Sequence, residues 1–399
     1  MNNKTIFFPA ISGFVCAIFE NDFCYKDKSF KFYGTSDKRE KIFNYPYFLI
    51  TAGHFYKKNI RKRFDINYKT SIVLGDSGGY QLATNVLKYS DKIVSEIFEW
   101  LENNTNYALN IDFPPYGKEG NHCDDNFKKK LEISLKNFEF FYKNKMGKTK
   151  FLNVLQGRSI KHLKLWWQGI KDFDFEGGLA IGSVGRQPVY NSLLSFFFLK
   201  ERGLFKKYAN RKDKEVKLLH FLGLTTIDTL MYIYYLQKKL NENNINLTIS
   251  FDSSSYSLSA SMGNYNLFQS LNGMSGICFT RDIKVTDLNH TEMPCKCPVC
   301  SLLTIKDLYK IFHEGNKSEF YYFLGMHNLY TFIQFKEKIE NFINMGQGSF
   351  YKKILENQYK IFQLIDKCFE SSNPLEIIEE NRTLLGYNIT NNKHELSLF

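Results

Sequence analysis

No apolar run in this 399-residue chain reaches the roughly 18 residues needed to cross a bilayer as a helix. The N-terminus, MNNKTIFFPAISGFVCAIF, lacks the charged leader and the small-residue cleavage site of a secretory signal, so it reads as a first strand. Together these absences predict a protein of the cytoplasm (the host's, if the gene is carried by a phage) with no membrane partner. Nor is the composition that of a disordered chain. At 43% hydrophobic it can bury a sizeable core, either as one large α/β domain with an attachment or as two domains. Acidic residues are in deficit, with 41 Asp and Glu against 53 Lys and Arg, a formal net charge of +12. That excess suits a polyanionic partner, nucleic acid first. It gathers in KKNIRKRF (57–64) and FKKYANRKDKEVK (205–217). A pair of solvated loops accounts for the same runs, because Lys, Asn, Phe, Tyr and Ile are abundant throughout.

Short β-like runs recur along the chain: IVLGD (72–76), YALNID (107–112), FLNVLQ (151–156), GLAIG (178–182), LLHFLGL (218–224) and LTISFD (247–252). Stretches with helical apolar spacing separate them, among them FKKKLEISLKNFEFFYKNK and TIDTLMYIYYLQKKL. Alternation of this kind predicts βαβ units and a parallel sheet. With FFPAIS near the start and GICFT at 276–280, the count approaches the eight strands of a (β/α)8 TIM barrel. Polar residues end the runs: Asp76, Asp112, Gln156, Gly182 with Ser183, and Asp252. A single Asp after a strand serves well as a helix cap or turn residue, and DSGGYQ (76–81) reads that way when taken alone. In a barrel, however, all strand C-termini open on one mouth, so this set predicts a shared site there.

Of eight cysteines, Cys295, Cys297 and Cys300 fall in PCKCPVC. Thiols this close in an intracellular protein point to a metal rather than to disulfides, and a structural zinc needs four ligands. His327 or the nearer His313 supplies the fourth. Cys16, Cys24, Cys123, Cys278 and Cys368 are scattered and read as small hydrophobes.

Taken together, these segments resemble one family, the guanine transglycosylases. DSGGYQ is similar to its DSGGFQ-type motif. VLQG (154–157) with AIGSVG (180–185) resembles its QG…IGG pair, and HFLGL (220–224) the strand ahead of its nucleophile. FDSSSYSLSASMGNY (251–265) resembles the nucleophile segment, and CKCPVC with a distal His its zinc site. The resemblance implies a (β/α)8 barrel over 1–285, a zinc-binding subdomain over 286–345 and C-terminal helices over 346–399. It implies a pentosyltransferase in which Asp252 is the nucleophile toward a sugar C1′ and Asp76 the acid/base carboxylate. Asp112 and Gln156 match the residues that read the purine edge, Gly182 and Ser183 the backbone donors to its carbonyl, and Tyr80 the ring that stacks on it. Cys295, Cys297, Cys300 and His327 match the ligands of a structural Zn2+. The partners it implies are a nucleic acid and a free 7-deazaguanine base, and it leaves room for a homodimer.

The chain departs from the bacterial tRNA enzymes in three places. No proline or arginines follow the nucleophile, no glutamate follows AIGSVGRQP to pair with an aminomethyl cation, and Ser183 replaces the usual glycine. The segment looks archaeal, which implies the nitrile base preQ0. The chain ends about 70 residues after His327, too few for the archaeal RNA-binding domains, so the resemblance favours the DNA-guanine transglycosylases of phages and bacteria (DpdA type) over the tRNA enzymes. A catalytically silent nucleic-acid-binding paralogue, which the family also contains, and an unrelated barrel enzyme for a small substrate are the other readings.

Overall fold

The computed structural model describes residues 3–115, 124–185, 187–209, 217–224, 226–270, 273–282, 292–345 and 356–386. Its strands are β1 (Ile6–Ile11), β2 (Cys24–Tyr25), β3 (Lys28–Ser29), β4 (Tyr47–Thr51), β5 (Ile72–Asp76), β6 (Tyr107–Leu109), β7 (Lys150–Leu155), β8 (Gly178–Ile181), β9 (Leu218–Phe221), β10 (Thr248–Ser253), β11 (Asn264–Ser270) and β12 (Gly273–Cys278). Eight of them close a parallel barrel in the order β1-β10-β9-β8-β7-β6-β5-β4. Closure runs through β1, which pairs Ile6 with Ser250 on one side and Ala10 with Leu49 on the other. Both faces of the sheet are covered, so the strands are apolar almost without interruption: Phe48, Leu49 and Ile50 in β4, and Leu152, Val154 and Leu155 in β7, are all buried.

The expected runs become strands, with one exception. GICFT does not join the barrel; it lies largely in β12, which pairs antiparallel with β11 as a hairpin. The remaining barrel strand is β4, in PYFLITAGH. It was missed because the chain between β1 and β4 holds only the short helix Phe14–Glu20 and two two-residue strands, so the strand–helix rhythm is broken there.

The surrounding helices start where the sequence caps them. Ser90 and Ser159 side chains accept from the backbone N–H groups of Ile93 and His162 at the heads of Asp91–Asn104 and Ile160–Ile170. Helix Pro188–Glu201 is buried nearly all round, from Tyr190 through Leu199. The helices Glu356–Glu370 and Pro374–Glu380 cover its outer side: Tyr190 donates to Glu379 at 2.6 Å and Lys200 to the carbonyl of Cys368 at 3.1 Å. After β10 the chain forms a short helix, Ser255–Ser261, then the β11–β12 hairpin. Helix Lys317–Asn344 then packs against Phe14–Glu20 and Ile227–Glu242. Among the described residues no helix is long and apolar enough to span a membrane.

Candidate active site at the barrel mouth

Asp76 is the last residue of β5, Gln156 follows β7 directly, Gly182 and Ser183 follow β8, and Asp252 is the penultimate residue of β10. Asp112 lies three residues beyond β6. All of them therefore open on one end of the barrel, and side-chain bonds join several. Gln156 Nε2 donates to Asp112 Oδ2 at 2.6 Å, while the hydroxyl of Ser183 donates to Gln156 Oε1. The amide is thus held from both ends.

Two glycines permit this closeness. A Cβ on Gly79 would come within 2.2 Å of the Asp112 carbonyl oxygen, and one on Gly182 within 2.2 Å of the Gln156 amide nitrogen. Ser183 itself sits at φ 62°, the left-handed region where glycine is at ease. A serine there costs about 1 kcal/mol, and its hydroxyl bond to Gln156 offsets part of that. Tyr80, in the first turn of helix Gly79–Ala83, is 59% exposed at the rim.

Burial pushes the carboxyl groups toward their neutral forms. Asp112, deep in the mouth, is raised to about 7, with the bond from Gln156 opposing the rise and the charge of Asp76 adding to it. Asp76 is also raised, first by burial. The Gly78 N–H at 3.2 Å and the Thr51 hydroxyl favour its charged form, while Asp252 disfavours it. A consequence for stability follows. Unfolded, Asp112 ionises near 3.8; folded, near 7. Between those values the folded chain holds the extra proton, so this group's contribution to stability falls as pH rises through the window and is lost above it. Asp112→Asn, neutral at every pH, is expected to melt about 2–4 °C above wild type at pH 8 and with wild type near pH 4. Thermal unfolding at the two pH values checks this.

Asp252 has partners that the sequence reading did not name. Its Oδ1 accepts from the backbone N–H of Gly223 at 2.8 Å and lies 3.2 Å from Nε2 of His220, whose Nδ1 is 3.0 Å from the Ser250 hydroxyl. His220 and Ser250 are fully buried. The available signal was a lone polar residue inside each of two apolar strands, LLHF and TISFD. Thr51, which bonds Asp76, was missed along with β4.

The cysteine cluster forms as expected. Ligand atoms of Cys295, Cys297, Cys300 and His327 all lie within 4.8 Å of one another. His327 Nδ1 is 3.4 Å from the Cys297 sulfur and 3.3 Å from that of Cys300. Its other nitrogen, Nε2, donates to the Asn266 carbonyl at 2.9 Å, which leaves Nδ1 free to bind a metal. The Tyr265 ring stacks on the imidazole at 3.7 Å. His313 is not in the cluster; its ring packs on Tyr309. Of the two basic runs, 57–64 includes helix Ile60–Phe64, where Arg63 pairs with Glu20 at 2.7 Å and Arg61 lies over the Tyr68 ring. In the other, 210–216 lies outside the described residues.

The closed parallel barrel thus gathers carboxylates at the mouth where barrel enzymes carry their active sites, with a Cys3His cluster beyond the last barrel strand. No family model matches the chain. Among curated proteins, the tRNA-guanine(15) transglycosylase of Saccharolobus solfataricus is 25% identical over 327 residues, 78% of this chain and 55% of the relative. The chain thus spans about half the length of the curated relative it matches. The fold and the order of the motifs agree with this similarity to a guanine transglycosylase.

Proposed function

We propose that the chain is a pentosyltransferase that replaces guanine in a nucleic acid with a 7-deazaguanine base, through a covalent bond between Asp252 and the sugar. The observation that carries this reading is the meeting of Asp76, Asp112 and Asp252 at one mouth, with the first two raised by burial. A carboxylate oxygen of Asp252 bonds to C1′ as the C1′–N9 bond breaks; the electron pair leaves with guanine, and N9 takes the proton of the Asp76 carboxyl. In the second half the incoming base gives its N9 proton to Asp76 as N9 bonds to C1′, and the ester's electron pair returns to Asp252. Asp112 and Gln156 read the N–H edge shared by both bases, and Tyr80 covers the ring. The base has to leave its stack to reach them.

The cysteine cluster suits a structural zinc. Bonds of about 2.3 Å to sulfur and about 2.0 Å to nitrogen set S and N about 3.5 Å apart in a tetrahedron, and the 3.3 and 3.4 Å separations here agree. Zinc bound by these four side chains would brace the hairpin behind Asp252.

For the polymer we favour DNA. The helix after the nucleophile, SYSLSAS, carries no cationic side chain, and it and the residue after it expose Leu258 and Met262. The bacterial tRNA enzymes that the sequence departs from place arginines there. The tRNA reading is supported by the relative's name. Labelled guanine offered with duplex DNA and, separately, with tRNA decides between them. Label is expected in DNA; label in tRNA alone establishes the second reading, and label in neither removes base exchange. For the incoming base, no carboxylate stands near Gly185 in sequence to pair with an aminomethyl cation, and a buried unpaired cation is costly. The nitrile preQ0 is expected to compete against labelled guanine about tenfold better than preQ1. The opposite order would require a further carboxylate, beyond Asp76, Asp112 and Asp252, beside the aminomethyl group.

A further inference from the structure

His220 is fully buried in β9 and takes no part in the steps above, yet it faces the proposed nucleophile. Parallel register sets His220 beside Ser250 on β10, and Asp252 lies two residues beyond Ser250 on the same side of the strand. The Phe8 ring, on the other strand that flanks β10, stands nearly perpendicular to the imidazole with centroids 6.0 Å apart. An ionised carboxylate only accepts hydrogen bonds, so the proton shared with Asp252 belongs to His220 Nε2. In the neutral ring Nδ1 is then an acceptor, and the Ser250 hydroxyl donates to it. A one-way chain of donors results, from Ser250 to His220 to Asp252.

Both donors reach the same oxygen. Gly223 N–H and His220 Nε2 converge on Oδ1 of Asp252, and among the described residues no donor reaches Oδ2. We propose that His220 is a positioning residue that, with Gly223, reserves Oδ1 as an acceptor and turns Oδ2 toward the sugar. This rests on the base-exchange reading. Oδ2 then forms the bond to C1′, and Oδ1 becomes the ester carbonyl oxygen. Hydrogen bonds to an ionised carboxylate are stronger than those to an ester carbonyl. The donors therefore favour the second half of the exchange, in which the Oδ2–C1′ bond breaks and its electron pair returns to the carboxylate. Without His220 the covalent intermediate persists.

The test compares His220→Phe, which keeps the ring's bulk without a donor, with His220→Gln, whose amide N–H reaches the place of Nε2. In His220→Phe, kcat for exchange is expected to fall about 10- to 100-fold with KM little changed. The fraction of nucleic acid held as denaturation-resistant adduct, measured without a second base, is expected to rise. His220→Gln is expected to restore both. If the two variants behave alike, or if the adduct fraction falls with the rate, His220 is a packing residue and the proposal is overturned. A third measurement does not depend on exchange. The imidazole 15N spectrum of the wild type, assigned by loss of one ring in His220→Gln, should show the Nε2–H tautomer. The Nδ1–H tautomer there overturns the proposal. A wild type with that spectrum but no exchange on either polymer overturns the base-exchange reading instead.

Discussion

Asp252→Ala is expected to abolish base exchange while leaving the barrel folded. Asp252 lies at the end of β10 with its side chain 14% exposed, so it is desolvated enough to react and open enough to be reached. In the proposed double displacement its oxygen forms one of the bonds that must be made, and no neighbouring group replaces it. Loss of a covalent nucleophile costs at least about 10^4-fold in kcat. The effect on stability should be modest, about 1–3 kcal/mol, because the truncation leaves the buried His220 Nε2–H and the Gly223 N–H without their acceptor. Wild type mixed with its nucleic acid and no second base should give an adduct that survives denaturing electrophoresis; the variant should give none. Unchanged exchange by the variant would remove Asp252 from the mechanism.

The second large effect concerns the Cys3His cluster. Purified chain is expected to hold one zinc, and Cys297→Ser to release it. Structural zinc contributes about 10–16 kcal/mol of binding free energy in small zinc domains, and where the site forms only on folding that energy belongs to the fold. Here the ligands join the loop at 295–300 to helix Lys317–Asn344, and His327 is tied through Asn266 to β11. Asn328, the next residue on that helix, accepts from Asn266 N–H at 2.9 Å and donates to the carbonyls of Tyr256 and Asn264. Metal loss should therefore loosen the hairpin and the helix that follows Asp252, lowering the melting temperature by about 5 °C or more and reducing exchange as a secondary effect. Elemental analysis that finds no zinc in chain prepared without chelator contradicts this. Retention of metal by His327→Ala would move the fourth ligand elsewhere.

The parts of the site that could be read from sequence are those written locally. A run of apolar residues ended by Asp or Gln marks a strand and its mouth, and three thiols in six positions mark a metal loop wherever the chain goes next. What stayed hidden depends on register between strands distant in sequence. That His220 lies against Ser250 and Asp252 follows from the pairing of β9 with β10, and nothing in LLHF alone fixes it. Likewise, whether His313 or His327 completes the cluster is decided by helix placement. His313 ends Ile305–His313 and packs on Tyr309, whereas His327 lies mid-helix, buried against the hairpin. β4 was lost because the preceding segment folds without a full helix.

The pairing of β1 with β10 also bears on how the chain is made. Residues 6–9 find their partners at 250–253, so the sheet keeps two open edges until most of the polypeptide has left the ribosome. Unpaired strand edges invite association with other chains, and such distant pairing is slow to form. The seam closes only when β10 arrives. Helix Lys317–Asn344, synthesised later still, then lies across Phe14–Glu20 and Ile227–Glu242, the helices on either side of that seam. The cysteine cluster fastens this helix to the hairpin that follows β10. In biogenesis a metal held there would act as a latch, engaged after the barrel strands are made, over the one joint of the barrel that the order of synthesis leaves open longest.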